Sequence, residues 1–499
     1  MKILLMSMPD VAPVIMHTSA FHMPSLGIAS IGANIDPGHE VYVVDLIRNR
    51  RHLKRHLIRR LTRLQPDLVG LSSMTWQYPT CLKIIRLIKK IRPRTKIVLG
   101  GYHATLMAAE ITASDEASEI DFLVRGEGEE TFRRLVNALT DQDRLTDIPS
   151  LSYKNGQKFV HNPKGDLLDL SRLKLPIRDK RRLTWGYHVM NRKVEVMETS
   201  RGCTRNCNFC SIRHMYGRAF RPFPLDRILA DIDDIYFKRK TRMIFVSDDN
   251  LVLDPKRVMQ LCNAIISKRY QNLSFIVQAD CVTMSRNEKM VAKMARAGFR
   301  CIFLGMENAS KKNLVAAQKG DILTASQKAV EICHKYGIMI VGGMIFGFPD
   351  DGEEEIIANY RFLRSTDADT AYCQILTPYP KTDIRRQLLD QGLVTNPNDY
   401  SRYNGMWANV RTRKLSSSKL QYLFWYHNQK IMDWWTPSER VQTQGRLWTS
   451  IWLYAFKPFL KVIIARQQKK LGWQGRFEKE INARASLNRF SDLDDPSPN

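Results

Sequence analysis

Residues 194–210 read Val-Glu-Val-Met-Glu-Thr-Ser-Arg-Gly-Cys-Thr-Arg-Asn-Cys-Asn-Phe-Cys. Val194–Thr199 is a short, mostly apolar run that reads as a buried strand. Ser200-Arg-Gly turns the chain out of it, and Cys203, Cys207 and Cys210 follow at x3 and x2 spacing. That spacing sets three thiolates around one corner of an iron–sulfur cube and leaves one iron open to a ligand. Thiolates also suit zinc, with a remote fourth ligand such as His214, but a structural zinc site usually brings a second Cys or His pair at regular spacing, and none is evident. The loop sits at the carboxyl end of its strand, where active sites of barrels lie.

Outward from this loop, residues 191–385 alternate strand and helix patterns. The strands are Val194–Thr199, Met243–Ser247, Ser274–Gln278, Cys301–Gly305, Ile338–Phe346 and Tyr372–Thr377, with helices such as Leu225–Phe237 and Ala325–Tyr336 between them. The alternation predicts a parallel, curved, barrel-like sheet. Residues 1–140 alternate likewise. Strands at Ile3–Met8, Glu40–Asp45, Asp67–Ser72, Lys96–Gly100 and Phe122–Arg125 flank helices at Gly27–Ile35, Arg51–Leu64 and Thr80–Ile91. This predicts a doubly wound parallel sheet, whose ligand lies beyond the strand ends at Ser7–Met8, Ser72–Thr75, Gly100–His103 and Arg125–Gly128. Residues 141–190, with the turn Asn155-Gly156 and the basic run Arg178–Arg182, read as a connector. Residues 386–483 read as helical, and residues 484–499 as a disordered tail.

The 499 residues are 44% hydrophobic and 25% charged, which excludes global disorder, collagen and coiled coil. The 77 basic residues against 50 acidic leave a net +27, so something anionic is attracted: nucleic acid, a lipid surface, or a phosphate- or carboxylate-bearing substrate. Nine cysteines, three of them within eight residues, point to a metal or cluster site in a reducing compartment rather than a disulfide scaffold. Met1–Asp10 is too short for a signal peptide and is broken by Pro9. No apolar run reaches the ~18 residues that span a bilayer. The expected location is cytoplasmic.

Cys-x3-Cys-x2-Cys with an aromatic before the last cysteine resembles the signature of the radical S-adenosylmethionine (radical SAM) enzymes. The resemblance implies that Cys203, Cys207 and Cys210 hold a [4Fe–4S] cluster and that Phe209 lies near the SAM adenine. Asp248-Asp249-Asn250 resembles the family's second-strand motif near the SAM amino group, and Gly305-Met-Glu307 its Gly-x-Glu. Gly342-Gly343 and Gly347-Phe-Pro349 resemble a later strand and turn. Thr377-Pro-Tyr-Pro-Lys-Thr382 resembles a Thr-Pro-x-Pro-Gly-Thr segment, with Lys381 where glycine is usual.

The first domain resembles the cobalamin-binding domain fused to many of these enzymes. The matching pieces are Pro24-Ser-Leu-Gly27-Ile-Ala, Leu99-Gly100-Gly101-Tyr-His103-Ala-Thr105 and Arg125-Gly126-Glu127-Gly128-Glu129. Glycines at strand ends let backbone approach a large flat ligand. The Asp-x-His-x-x-Gly motif that supplies a lower cobalt ligand is missing, so no motif histidine fills that position; Asp36 and His39 do not fit it, and His103 is a loop residue rather than a cobalt ligand.

Arg48–Arg63 is basic without an acid and carries Leu53, Leu57, Leu61 and Leu64 at helical spacing. Leu447–Ile464 sets Trp448, Trp452, Tyr454, Phe456 and Phe459 beside Lys457 and Lys461, which suits a membrane headgroup layer, a helix packed on the barrel, or stacking on single-stranded RNA. Together the resemblances imply a cobalamin-dependent radical SAM enzyme, of the class that includes hopanoid methylases and the anaerobic magnesium-protoporphyrin monomethyl ester cyclase. The expected reaction is C-methylation of a hydrophobic, lipid or isoprenoid-like substrate, with a flavodoxin- or ferredoxin-type electron donor and peripheral contact with the inner membrane surface. The alternatives are a tetrapyrrole-cyclase-type reaction and an RNA-modifying enzyme. Nucleic acid is not favoured, because the first domain holds only Cys81 where a second cluster would need three cysteines. A non-catalytic cofactor sensor is a further reading.

Overall fold

The computed structural model describes residues 1–10, 21–139, 142–181, 186–189, 192–434 and 490–494. In the first sheet, β1 (Lys2–Ser7), β2 (Glu40–Asp45), β3 (Leu68–Ser72), β4 (Lys96–Gly100) and β5 (Phe122–Val124) run parallel in the order β2-β1-β3-β4-β5. Ile3, Leu4, Leu5 and Met6 are each at most 2% exposed, as a central parallel strand covered on both faces must be. Helices α1 (Leu26–Asn34) and α4 (Gly128–Ala138) cover one face. The other is covered by α2 (Leu53–Leu64) and α3 (Tyr78–Ile91). Leu53, Leu57, Leu61 and Leu64 point into that core, so the arginines between them face outward.

The sheet runs past the expected boundary at residue 140. β6 (Leu151–Asn155) pairs antiparallel with β5, and β7 (Lys158–His161) returns along it through a two-residue turn with Gly156 at φ 62°. Burial of Leu151, Ser152 and Tyr153 against the first domain makes the hairpin part of it; four- and five-residue strands leave too little periodicity for a sequence to reveal this. Two arginines of the basic run are buried. Arg178 and Arg181 are 1% and 4% exposed and pair with Asp231 and Glu195 under the second sheet.

The second sheet holds β8 (Arg192–Met197), β9 (Met243–Val246), β10 (Ser274–Ala279), β11 (Phe299–Glu307), β12 (Met339–Phe346) and β13 (Thr370–Ile375), parallel and adjacent in chain order. It curls into a half-barrel. Side-chain alternation splits its faces. Phe275, Val277, Ile302, Leu304 and Ile340 pack outward against helices. Ile276, Cys301, Met339 and Val341 cluster on the concave side, where Phe303 and Tyr372 meet edge to face at 6.2 Å. At the β8 edge, His188–Val189 pairs antiparallel with β8, and Phe21–His22, from the first domain, pairs with His188–Val189 in turn. Helix α5 (Ser417–Trp434) buries Leu420, Leu423 and Phe424 against the barrel.

The segment Leu447–Ile464 and the rest of 435–489 lie outside the described residues. Phe490–Asp494, expected as part of a disordered tail, sit on the first domain. Leu493 enters the core beneath α2 and α3, Arg50 lies 5.6 Å from the Phe490 ring centroid, and Asp494 pairs with Lys83 at 2.5 Å. A single leucine flanked by acids finds the basic face, a match between distant segments that composition does not show. Among the described residues, no helix is long and apolar enough to cross a membrane.

Candidate active site between two sheets

The carboxyl ends of both sheets meet at one cavity of about 360 Å³. The first domain contributes Gly100, Gly101, Gly126, Glu127 and Gly128 to its wall; the barrel contributes Glu198, Ser200, Arg201, Tyr216, Ser247 and Asp249. An apolar pit lined by Leu5, Ile31, Val98, Val124 and Phe132 runs down between the first sheet and helices α1 and α4. A Cβ added at Gly27 or Gly126 would meet nothing within 4 Å, so bare backbone faces open space on two sides. Pit and bare backbone fit a large flat cofactor; the volume is at the low end for ligand pockets, so a corrin-sized ligand would need more room than this cavity alone.

Sequence reasoning grouped His103 with these residues, but the structure places it outside the cavity wall. Its ring is 1% exposed and packs 4.2 Å from Tyr78 and 5.0 Å from Tyr400. Burial pushes its pKa down to about 3, so it stays neutral. Two substitutions separate wall from packing. Gly27→Leu fills open cavity space without backbone strain and is expected to weaken cobalamin retention by about tenfold or more. His103→Phe is expected to retain it. Cobalt per chain after anaerobic reconstitution reads both.

Glu127 and Glu129 line the cavity and there meet a cation of the barrel. Arg201 donates to Glu127 at 2.8 Å, to Glu129 at 2.6 Å and to Glu198 at 2.7 Å. Arg221 and the Leu168 backbone N–H, each at 2.9 Å, also donate to Glu127, and Ser30 donates to Glu129 at 2.7 Å. Burial pushes the Glu129 carboxyl up, but Arg201 and Ser30 pull it below its ordinary value; in Glu198 burial wins and the value is raised. A buried guanidinium thus ties the loop after β5 to the loop after β8.

The cysteine loop follows directly. Gly202 has φ +86°, and a Cβ there would lie 2.2 Å from the Ala219 carbonyl oxygen, so only glycine makes this turn. Asn208 holds the loop from beneath: its backbone N–H donates to Ala317 at 3.2 Å and its side-chain amide to Ala316 at 2.8 Å. Burial, then the charges of Cys207, Asp249 and Cys203, push the Cys210 thiol up to about 12. Three mutually repelling thiolates are what a cluster's positive irons stabilise. Among the described residues, no three His, Cys, Asp or Glu side chains converge on one ion; a cube spreads its thiolates over separate irons. The other six cysteines are buried.

Of the residues expected to hold SAM, Phe209 is half-buried against the barrel core. Asp248 is spent on the backbone. Its carboxylate accepts from the Thr199 N–H and hydroxyl, both at 2.6 Å, and from the Ser200 hydroxyl at 2.5 Å, fixing the strand end that launches the cysteine loop. Asp249 lines the cavity and accepts from the Gly202 N–H at 2.9 Å, while burial pushes its pKa up to about 6. Glu307 has φ +65° and pairs with Lys319 at 2.8 Å; a Cβ at Gly305 would lie 2.4 Å from the Glu307 carboxylate, so Gly305 makes room for the pair. Burial opposes the Lys319 charge, but Glu307 and Cys207 hold the ammonium above its ordinary value. Lys381, standing where glycine is usual, adopts the left-handed φ of +65° and pairs with Glu110 of the first domain.

Sequence reasoning missed Arg201, Lys319, Tyr102 and Tyr216. Tyr102, directly after Gly101, and Tyr216 line the cavity from opposite sides of the domain boundary. Their signals were adjacency alone: Arg201 is two residues before Cys203, and Tyr102 follows the glycine pair.

Two family descriptions match this arrangement: a B12 binding domain over residues 12–136 and the radical SAM superfamily over residues 197–363. The chain is a radical SAM enzyme with an N-terminal B12-binding domain. Its cofactors are therefore a [4Fe–4S] cluster, SAM and cobalamin. This B12-binding radical SAM enzyme is 28% identical over 439 residues to an uncharacterised methyltransferase of Pyrococcus horikoshii, covering 87% of this chain and 94% of the relative. It is 24% identical over 474 residues to the anaerobic magnesium-protoporphyrin IX monomethyl ester cyclase of Rubrivivax gelatinosus, covering 91% and 82%. The fold matches that of the cobalamin-dependent S-adenosylmethionine radical enzyme OxsB with aqua-cobalamin and S-adenosylmethionine bound. That match has a TM-score of 0.69 and 16% identity, and covers 100% of this chain and 77% of the other.

Proposed function

We propose that the enzyme methylates an unactivated carbon of a hydrophobic, lipid or isoprenoid-like substrate. The observation that carries this reading is the concave face of the half-barrel: Ile276, Cys301, Met339 and Val341 floor it, and Phe303 and Tyr372 stand above them. Such a lining holds apolar substrate by area rather than by charge. When bound, the cluster supplies the electron that cleaves SAM, and cobalamin supplies the methyl group. The chain's own residues hold the parts in register. Asp248 fixes the strand end beneath the cluster loop, and Arg201 fixes that loop against the glycine-rich wall. A small flavodoxin- or ferredoxin-type protein serves as electron donor, and the protein works peripherally on a membrane.

The test is anaerobic incubation of the reconstituted enzyme with methyl-deuterated SAM and a lipid extract. Methyl transfer through cobalamin predicts both 5′-deoxyadenosine and S-adenosylhomocysteine, since each methyl group used is replaced from a second SAM, with deuterium entering the apolar fraction. A cyclase reaction, the second reading favoured by the Rubrivivax relative, predicts 5′-deoxyadenosine without S-adenosylhomocysteine. Label confined to polar products sinks the hydrophobic substrate.

A further inference from the structure

The outer face of the first domain is cationic in a regular way. Arg51, just before α2, and Arg55, Arg59 and Arg63 on it recur every fourth residue, and all four are exposed. Arg86 and Lys90 on α3 and Arg94 just beyond it repeat the spacing, also exposed. Both helices cover the same side of the sheet, so the two rows lie side by side on a two-helix layer. From Leu46 to Ala109 the sequence holds fifteen Lys or Arg and one acid, Asp67. Among the described residues, no ion pair neutralises Arg51, Arg55, Arg59, Arg63, Arg86 or Arg94.

We infer that this face docks the enzyme on an anionic lipid bilayer. Phe490–Asp494 cover the part of the layer at Arg50 and Lys83, and the exposed rows run along helices of about 18 and 21 Å at 1.5 Å per residue, a layer large enough to meet a plane of headgroups. A protein partner would need an apolar centre on the interface. The large exposed apolar side chains among the described residues are Met74, Leu225, Phe237, Val315 and Leu389, and none lies on α2 or α3. No exposed aromatic stands there to stack a base, as single-stranded nucleic acid would require. The chain outside the described residues supports lipid independently. Residues 435–489 leave from the end of α5 and come back at Phe490 to this same face. By sequence they carry Trp448, Trp452, Tyr454, Phe456 and Phe459 with Lys457, Lys461 and Arg466, the composition that enters a headgroup layer. The docking deepens the lipid-substrate reading and rests on it only for where substrate is met. Its test reads no turnover, so the two fail separately.

Full-length, cofactor-loaded enzyme is floated with vesicles of phosphatidylcholine alone or of phosphatidylcholine with phosphatidylglycerol, at low and high salt. Flotation is expected only with phosphatidylglycerol and should fall steeply with salt, because exposed charges are screened. R55Q/R59Q/R63Q and R86Q/K90Q/R94Q change exposed side chains on different helices. Each is expected to weaken flotation about tenfold, with cobalt and iron content unchanged. No flotation with the anionic vesicles, or flotation equal in wild type and both variants, overturns the docking. Retention of total RNA lost in both variants, without vesicle binding, overturns it in favour of nucleic acid. The salt series on wild type needs no variant to fold.

Discussion

Arg201→Met is expected to lower the apparent melting temperature sharply and to uncouple the two halves of the enzyme. The substitution leaves Glu127, Glu129 and Glu198 around a space without their shared guanidinium, and breaking a buried pair from one side costs about 3–5 kcal/mol. Arg221 still faces Glu127, so Glu129 and Glu198 bear most of the loss. The pH dependence should invert. In wild type Glu129 titrates below its ordinary value, so its contribution is present at neutral pH and lost on acidification through the folded pKa. Without Arg201 only the Ser30 hydrogen bond opposes burial, the folded pKa is expected to rise above the unfolded one, and stability is lost as pH rises instead. Melting curves at acid and mildly alkaline pH read the sign. Arg201→Lys keeps the charge without the fork and should restore the wild-type direction with part of the stability. Anaerobic assays should show methyl transfer falling further than 5′-deoxyadenosine formation, since SAM cleavage needs only the barrel. Equal loss of both would mean that Arg201 holds the barrel loop alone.

Cys207→Ala is expected to remove the cluster and abolish 5′-deoxyadenosine formation while cobalt per chain stays near the wild-type value. The loss should exceed the roughly 10–100-fold that removal of an outer hydrogen-bond partner costs a metal site, because a ligand itself is gone. Cobalt persists because the pit between the first sheet and α1 and α4 touches no residue of the cysteine loop. Cys333→Ala, in the barrel core, is the control: it creates a small cavity and should keep both metals. Loss of cobalt in Cys207→Ala would show that the cofactor sites assemble together.

Both sheets were legible from sequence because their strands are buried on two faces and so read as continuous apolar runs; Ile3–Met6 and Met339–Phe346 need no partner to be recognised. The cysteine triplet was legible because its chemistry depends on local spacing. What sequence did not show depends on pairing across distance. Glu127 and Glu129 meet Arg201 from more than seventy residues away, and a glycine-rich loop that reads as a cofactor wall is also half of a charged clasp. Asp248 kept its expected strand end but turned inward to the Thr199 backbone, a choice between two acidic neighbours that spacing cannot make. His103 was grouped with the glycines beside it, although the ring is buried between tyrosines 25 residues before it and nearly 300 after it.

The two-residue strand Phe21–His22 bears on how such enzymes are recombined. It belongs by sequence to the first half, yet it closes the barrel sheet through His188–Val189, while the β6–β7 hairpin and Arg181 tie the intervening chain to both halves. A chimera cut between the nominal domains would give the barrel an edge from one parent and a body from the other. Exchange of barrels between relatives should therefore carry residues 21–22 and 186–189 along, because the unit that folds as the barrel sheet is discontinuous in the gene.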